Sequence, residues 1–425
     1  MSASVAYKRN INSNNSNWNR NNRNNNNAPL CVGYENPFSF VLFMIKDDEL
    51  VQDFSFEDLL KAYYDCRKRK RNTISALKFE LQLEKNLLEL YHDLKSGHYK
   101  IGRYICFVVL SPKPREVWAA NFRDRIVHHL VYNAIKERFH KRFINDTYSC
   151  IPKRGTLACA KKVLHYARSA SHNYKRPVYF LKADISNFFV SINKKILFKL
   201  VCRYVKEDWL LKLLKIIIFH NPKNNVLIKS SPKTFEQLPS HKSLWNTPVI
   251  NGLPIGNLTS QFFSNIYLNV LDSYVKHNLN CKYYCRYVDD FIILAESTIF
   301  LMKCFKNIRG YIKNELNLVL NINKCFINKV EKGIDVVGYF IKPHRMFLRT
   351  RTLNKIKFTV NNWKKSRYKY EKYMLSKFHQ TINSYLGMLR HTPSFNFRFY
   401  LCSEFNSLFI FTDYSYQKSL ILHLF

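Results

Sequence analysis

The segment "CKYYCRYVDDFIIL", residues 281–294, places two adjacent carboxylates, Asp289 and Asp290, inside an apolar and aromatic run. A buried ionised carboxylate is destabilising by several kcal/mol unless it is paired or binds a metal, and neighbouring charges also repel. The flanking runs "YYCRY" and "FIILA" are β-prone, so the sequence predicts a hairpin with both aspartates at or beside its tip. Most Asp-Asp pairs in turns only satisfy turn backbone, but apolar residues on both sides favour a functional pair here.

A third acid, Asp184, ends the apolar strand predicted within "PVYFLKADISNFF", residues 177–189. Carboxylates from neighbouring strand ends form an oxygen-rich site that suits Mg²⁺. Two such ions about 3.5–4 Å apart clamp the attacking and leaving oxygens of a phosphoryl displacement. The repulsion between Asp289 and Asp290 is then balanced by the cations. The predicted chemistry is nucleotide polymerisation or nucleic-acid cleavage.

The charge balance indicates a polyanionic partner. The 425 residues include 68 Lys and Arg against 30 Asp and Glu, which gives a net charge of +38. Bound nucleic acid offsets self-repulsion of this size. The basic residues are spread along the chain rather than clustered beside an amphipathic end, which disfavours a membrane surface. In addition, no apolar run approaches the roughly 18 residues of a membrane span.

Other patterns predict the organisation of the chain. Periodic apolar residues indicate helix from residue 53 to about residue 94, and residues 99–122 are typical of two strands joined by a basic turn. Residues 221–250 are rich in Pro, Ser, Asn and Lys, which predicts a loop or small insertion. The eleven cysteines are scattered, which favours reduced thiols in a cytoplasm over zinc or disulfides.

Several motifs resemble those of reverse transcriptases. "YVDD" at residues 287–290 is similar to the hallmark motif of that family, and "KADISNFFVSIN" at 182–193 resembles its first catalytic motif. The order of the motifs along the chain agrees as well. The further matches are "PKPRE" (112–116), "DRIVHHLV" (124–131), "PIGNLTSQ" (254–261), "LNLVLNINKC" (316–325) and "IDVVGYFI" (334–341), the last resembling the hairpin that grips the primer.

The resemblance implies an α+β right-hand polymerase fold, in which the palm is an antiparallel sheet with helices. We therefore expect a disordered Asn-rich tail at 1–37, N-terminal helices and fingers at 38–176, a palm at 177–345 that includes the insertion, and a helical basic thumb at 346–425. The thumb aromatics are expected to form its core or to stack on nucleotides. They are Trp363, Tyr368, Tyr370 and Tyr373. The residues after the hairpin are too few for a ribonuclease H domain.

The same resemblance assigns the metal site and the general acid. Asp184 and Asp289 are expected to ligate two Mg²⁺ ions, with Mn²⁺ as a substitute, and the carbonyl of Ile185 would complete the shell. Asp290 is expected as a further ligand, although neighbouring strand residues point to opposite faces. Lys324 matches the lysine that helps protonate the leaving pyrophosphate; the alternative is a surface lysine.

The nucleotide-binding residues follow from three motifs. Lys113 and Arg115 match the basic pair that holds the triphosphate; the alternative is a solvated turn. Phe189 matches the gate that excludes a ribose 2′-hydroxyl, so deoxynucleoside triphosphates are the expected substrate, whereas Phe188 is expected in the core. In the loop "PIGNLTSQ" we expect contacts with the nucleotide and primer end from three residues, namely Ile255, Gly256 and Gln261.

The loop also indicates a subgroup. Most reverse transcriptases have a sequence close to "PQGxxxSP", and Ile255 and Gln261 depart from it in the manner of diversity-generating retroelement enzymes, which copy a template RNA with errors at adenines. Expected partners are template RNA, primer or cDNA, and a small basic accessory protein that oligomerises, in a bacterial, archaeal or phage-encoded cytoplasmic enzyme. The alternatives are a group II intron-like or retron reverse transcriptase and a catalytically idle RNA-binding protein derived from a polymerase.

Overall fold

The computed structural model describes residues 53–68, 70–111, 113–365, 372–404, 410–411 and 422–423, with side chains from residue 374 in the fourth range. The expected Asn-rich tail at 1–37 lies outside these residues, as do Tyr368 and Tyr370 and the side chain of Tyr373. The described part is a mixed α+β structure with antiparallel sheets, which confirms the predicted fold class.

The N-terminal part consists of three helices, where the sequence pattern suggested helix throughout. They are α1 (Phe56–Arg67), α2 (Ile74–Glu80) and α3 (Leu83–Lys95). A capping box starts α1, in which Asp58 N donates to Ser55 Oγ and Ser55 N donates to Asp58 Oδ2. The first break falls within the basic run "RKRKR" at residues 67–71, at whose first residue α1 ends, since like charges three and four residues apart destabilise a continuous helix.

The next elements form a three-stranded sheet against a long helix. Strands β1 (Tyr104–Val109) and β2 (Arg115–Ala119) pair as an antiparallel hairpin, as predicted, and α4 (Phe122–His140) follows. The third strand, β4 (Val226–Ile228), pairs parallel to β1 and comes from the 221–250 segment. That segment also holds the short helix α9 (Pro232–Glu236). The predicted insertion is therefore packed onto this sheet and is not a free loop.

A four-stranded antiparallel sheet carries the candidate site. Its strands are β3 (Tyr179–Asp184), β5 (Tyr283–Tyr287), β6 (Asp290–Ala295) and β7 (Phe326–Lys329), in the order β5-β6-β3-β7. The central strands β3 and β6 are almost entirely buried, which explains their continuous apolar sequence. The surrounding helices are α5 (Thr156–Ala170), α6 (Phe188–Ser191), α7 (Lys194–Cys202), α8 (Asp208–Phe219), α10 (Leu258–Ser273) and α11 (Thr298–Leu316).

The last elements are a small sheet and a group of helices. Strands β8 (Ile334–Val336) and β9 (Tyr339–Lys342) form the predicted hairpin, to which β10 (Arg345–Leu348) adds. Trp363 is buried and stacks on Phe378, with ring centroids 3.9 Å apart, so this aromatic belongs to the helix core. The remaining elements are α12 (Thr350–Lys365), α13 (Lys372–Leu389), α14 (Phe395–Glu404), β11 (Ile410–Phe411) and β12 (Leu422–His423). Among the described residues, none of the helices has the length and apolarity needed to span a membrane.

Candidate active site

The hairpin between β5 and β6 has the tight turn that the sequence predicts. Tyr287 pairs with Asp290, so Val288 and Asp289 form a two-residue loop. Val288 has a φ of 56°, and a β-branched residue in this region is strained. Arg286 supports the conformation, because its Nη1 donates to the Val288 carbonyl at 2.8 Å. Arg286 itself is fully buried against Asp272 of α10.

Sheet register brings the three predicted carboxylates together. Asp184 at the end of β3 pairs directly with Asp290 at the start of β6. The amide of Ile185 donates to the Asp289 carbonyl at 3.3 Å, which fixes the turn next to the end of β3. Acids about 100 residues apart in sequence thus share one end of the sheet, because two adjacent antiparallel strands meet there.

This arrangement is electrostatically unfavourable without a cation. Burial, followed by repulsion from Asp290 and Asp184, raises the pKa of Asp289 to about 7. Burial is also the largest cause that raises the pKa of Asp290, with Asp184 adding repulsion and Lys182 opposing it. A bound divalent cation would remove both the repulsion and the uncompensated charge.

Lys324 lies at the same site. It ends a 3₁₀ turn, Ile322–Lys324, and its Nζ forms an ion pair with Asp184 Oδ2. Burial alone would lower the pKa of Lys324, but the hydrogen bond to Asp184 and the three nearby carboxylates raise it. The preceding residue Asn321 also contacts Asp184, through its amide N to the Asp184 carbonyl at 2.8 Å. The sequence analysis did not single out Asn321, although it lies within the lysine-bearing motif at 316–325.

The donor set fits hard divalent cations, because the carboxylate oxygens of three aspartates lie together with the backbone at the end of β3. Within the part of the chain that the structure describes, no three His, Cys, Asp or Glu side chains are already arranged to hold a metal ion. The Lys324 ammonium group instead pairs with Asp184 and supplies positive charge at one of the three carboxylates. Metal binding would require this ammonium to share or release that oxygen.

The two phenylalanines after Asp184 have different environments, as predicted. Phe188 is buried, whereas Phe189 is half-buried, and their ring centroids are 5.4 Å apart. Asn187, with a φ of 49°, turns the chain between Asp184 and this pair. The Phe189 carbonyl accepts from the Leu253 amide at 2.9 Å, so the predicted gate is joined directly to the glycine-containing loop.

The loop containing Ile255 and Gly256 is packed onto β2. The Trp118 amide donates to the Ile255 carbonyl at 2.7 Å. Gly256 has a φ of 125°, and a Cβ there would lie 3.0 Å from the Trp118 carbonyl oxygen, so only glycine fits. Gln261 is exposed on the first turn of α10, and the Cys150 thiol donates to its Oε1 at 3.4 Å. Arg115 is the first residue of β2, the strand that contacts this loop, and Lys113 lies two residues before it; both are exposed.

The fold and site define a nucleotidyl-transferase class of protein, with three acids at the end of an antiparallel sheet. The sequence matches the family described as reverse transcriptase (RNA-dependent DNA polymerase) over residues 111–341, more than half of the chain. The chain therefore belongs to the reverse transcriptase family. The enzyme class that this family defines is RNA-directed DNA polymerase.

Three individual proteins that resemble this chain share less than a quarter of their aligned residues with it. Protein YkfC of Escherichia coli (strain K12) is 23% identical over 294 residues, which is 61% of this chain and 72% of that protein. Among solved structures, apo telomerase from Candida tropicalis, truncated from its C-terminal domain, has a TM-score of 0.41 at 15% identity and covers 61% of this chain and 59% of its own. Telomerase from Candida albicans, in complex with a fragment of telomeric RNA, has a TM-score of 0.41 at 11% identity, covering 72% and 55%. The chain spans little more than half of those telomerase chains.

Proposed function

We propose that this protein copies an RNA template into DNA with deoxynucleoside triphosphates, at a site that Asp184, Asp289 and Asp290 form with two Mg²⁺ ions. The observation that carries the proposal is the direct pairing of Asp184 with Asp290 beside Asp289. When bound, the cations would neutralise charge on the transferring phosphoryl group and orient the primer hydroxyl. The Ile185 carbonyl is a further candidate ligand.

The remaining residues of the site have roles that suit their positions. Lys324 holds its proton more tightly than a free lysine, because it hydrogen-bonds Asp184, and in the reaction it would stabilise or protonate the leaving pyrophosphate. Lys113 and Arg115 are exposed, and they would bind the triphosphate. Phe189 would exclude ribonucleotides by contact with a 2′-hydroxyl. The net charge of +38 supports binding of template RNA and primer.

Primer extension on an RNA template tests this function. Wild-type protein with Mg²⁺ and deoxynucleotides should extend the primer, whereas Asp289→Asn should not. The exposed Glu315→Gln is the matched control and should retain full activity. Equal extension by wild type and Asp289→Asn would contradict the metal assignment. No extension by the wild type would favour a catalytically idle RNA-binding protein.

Phe189 offers a second test within the same assay. Phe189→Ala should incorporate ribonucleotides more readily than wild type, because the ring that would contact the 2′-hydroxyl is removed. Phe188→Leu is the control, since the neighbouring ring is buried and faces the core. Unchanged sugar discrimination in Phe189→Ala would contradict the gate.

The finer assignment is to a diversity-generating retroelement, in which a template repeat is copied with errors. It rests on Ile255 and Gln261, whose side chains replace a glutamine and a proline of the commoner motif. An aliphatic side chain at 255 cannot donate the hydrogen bonds of an amide, so it holds the nascent base pair less firmly. A small basic accessory protein would share the template RNA.

Sequencing of the cDNA tests the subgroup. Errors should be concentrated opposite template adenines, and Ile255→Gln should reduce them. Uniformly low error in the wild type would favour a group II intron-like or retron enzyme. An unchanged error spectrum in Ile255→Gln would contradict the role of this side chain.

A further inference from the structure

The 221–250 insertion contacts β2 through one buried carboxylate. Glu116 is 3% exposed. Its Oε2 accepts from Ser243 Oγ at 2.5 Å, and its Oε1 accepts from the Leu244 amide at 3.0 Å. The third donor is on β2 itself, since Trp118 Nε1 also donates to Oε1. One carboxylate therefore joins the "KSLW" part of the insertion to the indole of Trp118.

Further contacts hold the insertion in this position. The rings of Trp118 and Trp245 pack with centroids 5.0 Å apart. Leu244 is buried in the same apolar cluster as Trp118. Lys223 Nζ donates to the Trp245 carbonyl at 3.1 Å and to the Thr247 carbonyl at 2.7 Å, which ties the beginning of the insertion to its end.

The backbone of β2 and of Ala120, the residue after it, in turn fixes the loop of residues 252–257. Trp118 N donates to the Ile255 carbonyl, and Ala120 N donates to Asn257 Oδ1 at 3.1 Å. The insertion also touches the loop directly, because a Cβ on Gly252 would lie only 2.5 Å from Leu244 Cδ1. The other side of the loop is bonded to the Phe189 carbonyl through Leu253 N.

We propose that Glu116 is a positioning residue for nucleotide selection, through which the insertion sets the place of the Ile255 backbone and of Phe189. Glu116 itself touches neither substrate nor the three aspartates; it acts through Trp118 and Leu244. The inference rests on the proposed function, which puts Ile255 and Phe189 against the incoming nucleotide. It adds that the 221–250 segment determines how firmly that nucleotide is held.

Three variants and a control test the proposal. Glu116→Ala leaves three donors without their acceptor, whereas Glu116→Gln can still accept from Trp118 and Leu244 while its amide donates to the Ser243 hydroxyl. Ser243→Ala removes one bond only. The control is Asp124→Ala, since Asp124 is equally buried but accepts from Tyr99 Oη and Gly102 N instead.

Glu116→Ala should raise the KM for deoxynucleotides by roughly tenfold and alter the misincorporation spectrum, with a smaller effect on kcat, since small displacements of positioning groups have effects of this size. Glu116→Gln should have a KM and a misincorporation frequency within about twofold of wild type, because it preserves most of the bonds. Asp124→Ala should lower the free energy of unfolding without changing the KM or the misincorporation spectrum. A folded Glu116→Ala with wild-type KM and misincorporation overturns the proposal. If that variant does not fold, wild-type values in Ser243→Ala overturn it.

Hydrogen exchange separates this inference from the proposed function. The amides of Trp118 and Leu253 should exchange faster in Glu116→Ala or Ser243→Ala than in Asp124→Ala, whether or not the protein synthesises DNA. Protection unchanged from wild type contradicts the positioning role. An inactive wild type with the expected loss of protection contradicts only the proposed function.

Discussion

Asp289 in the YVDD turn and Asp272 on α10 differ in how the charge of each carboxylate is balanced. Asp272 is fully buried, and its carboxylate accepts from Arg286, from Tyr284 Oη at 2.6 Å and from Thr147 Oγ1 at 2.9 Å. Asp289 has repulsive neighbours instead, and burial with that repulsion raises its pKa to about 7. The partners of Asp272 balance its charge, so this carboxylate stabilises the fold, whereas the charge of Asp289 is not fully balanced by its neighbours. An incompletely balanced charge is expected of a metal-binding carboxylate and not of a structural ion pair.

The largest expected effect is on catalysis at Asp289. Asp289→Asn should reduce primer extension by a factor on the order of a thousand or more, in the range of losses for electrostatic groups of active sites. Its free energy of unfolding should equal or exceed that of wild type in metal-free buffer, because a repelled, half-buried charge is removed. Chemical denaturation measures this second quantity. A clear loss of stability would show that Asp289 is satisfied within the fold, as Asp272 is.

The opposite result is expected at Asp272. Asp272→Asn leaves Arg286 buried and unpaired, and breaking such a pair lowers the free energy of unfolding by about 3–5 kcal/mol. The double variant Asp272→Asn/Arg286→Met removes both charges and should recover much of that loss. Denaturant titration of wild type, both single variants and the double variant measures the coupling. Additive losses would contradict the ion-pair account.

The sequence predicted the three carboxylates of the candidate site better than it predicted the residues that hold them in place. Asp184, Asp289 and Asp290 follow from apolar strands that end in acids, a local pattern. The Arg286–Asp272 pair and the bonds of Glu116 to Ser243 and Leu244 join residues 14 and more than 120 positions apart, and no local pattern encodes such contacts. Residues 221–250 were predicted as a loop or small insertion because their Pro-rich composition gives no periodic signal, yet they contribute β4 through pairing with a distant strand.

A smaller effect is expected at Val288. This residue precedes Asp289 in the turn, and its carbonyl accepts from Arg286, the partner of Asp272. Val288→Gly should relieve the positive φ and, allowing for the entropy of glycine, change the free energy of unfolding by only about 1 kcal/mol. DNA synthesis should fall severalfold, because glycine fixes the turn less firmly than a side chain held by its neighbours. Primer extension and denaturation of the same preparation measure both. Full activity would show that the Arg286 contact alone orients Asp289.

A third way to bury an ionisable group is to keep it neutral, and His128 on α4 illustrates it. It is 3% exposed, its Nδ1 lies 2.6 Å from Thr259 Oγ1, and burial is the main cause that lowers its pKa to about 3. Burial likewise lowers the pKa of His129 and of His220 to about 4. The unfolded chain therefore binds protons near pH 6.5 that the folded chain does not bind, and the free energy of unfolding falls as the pH drops below that value.

For one such histidine the loss between pH 7.5 and pH 5.5 is about 1.4 kcal/mol. His128→Gln should remove that amount from the pH dependence of unfolding, even where it lowers stability at pH 7.5. The exposed His241→Gln is the control and should keep the wild-type slope. Denaturant titrations of the three proteins at the two pH values supply the six free energies. Equal slopes in His128→Gln and wild type would show that the folded protein protonates His128.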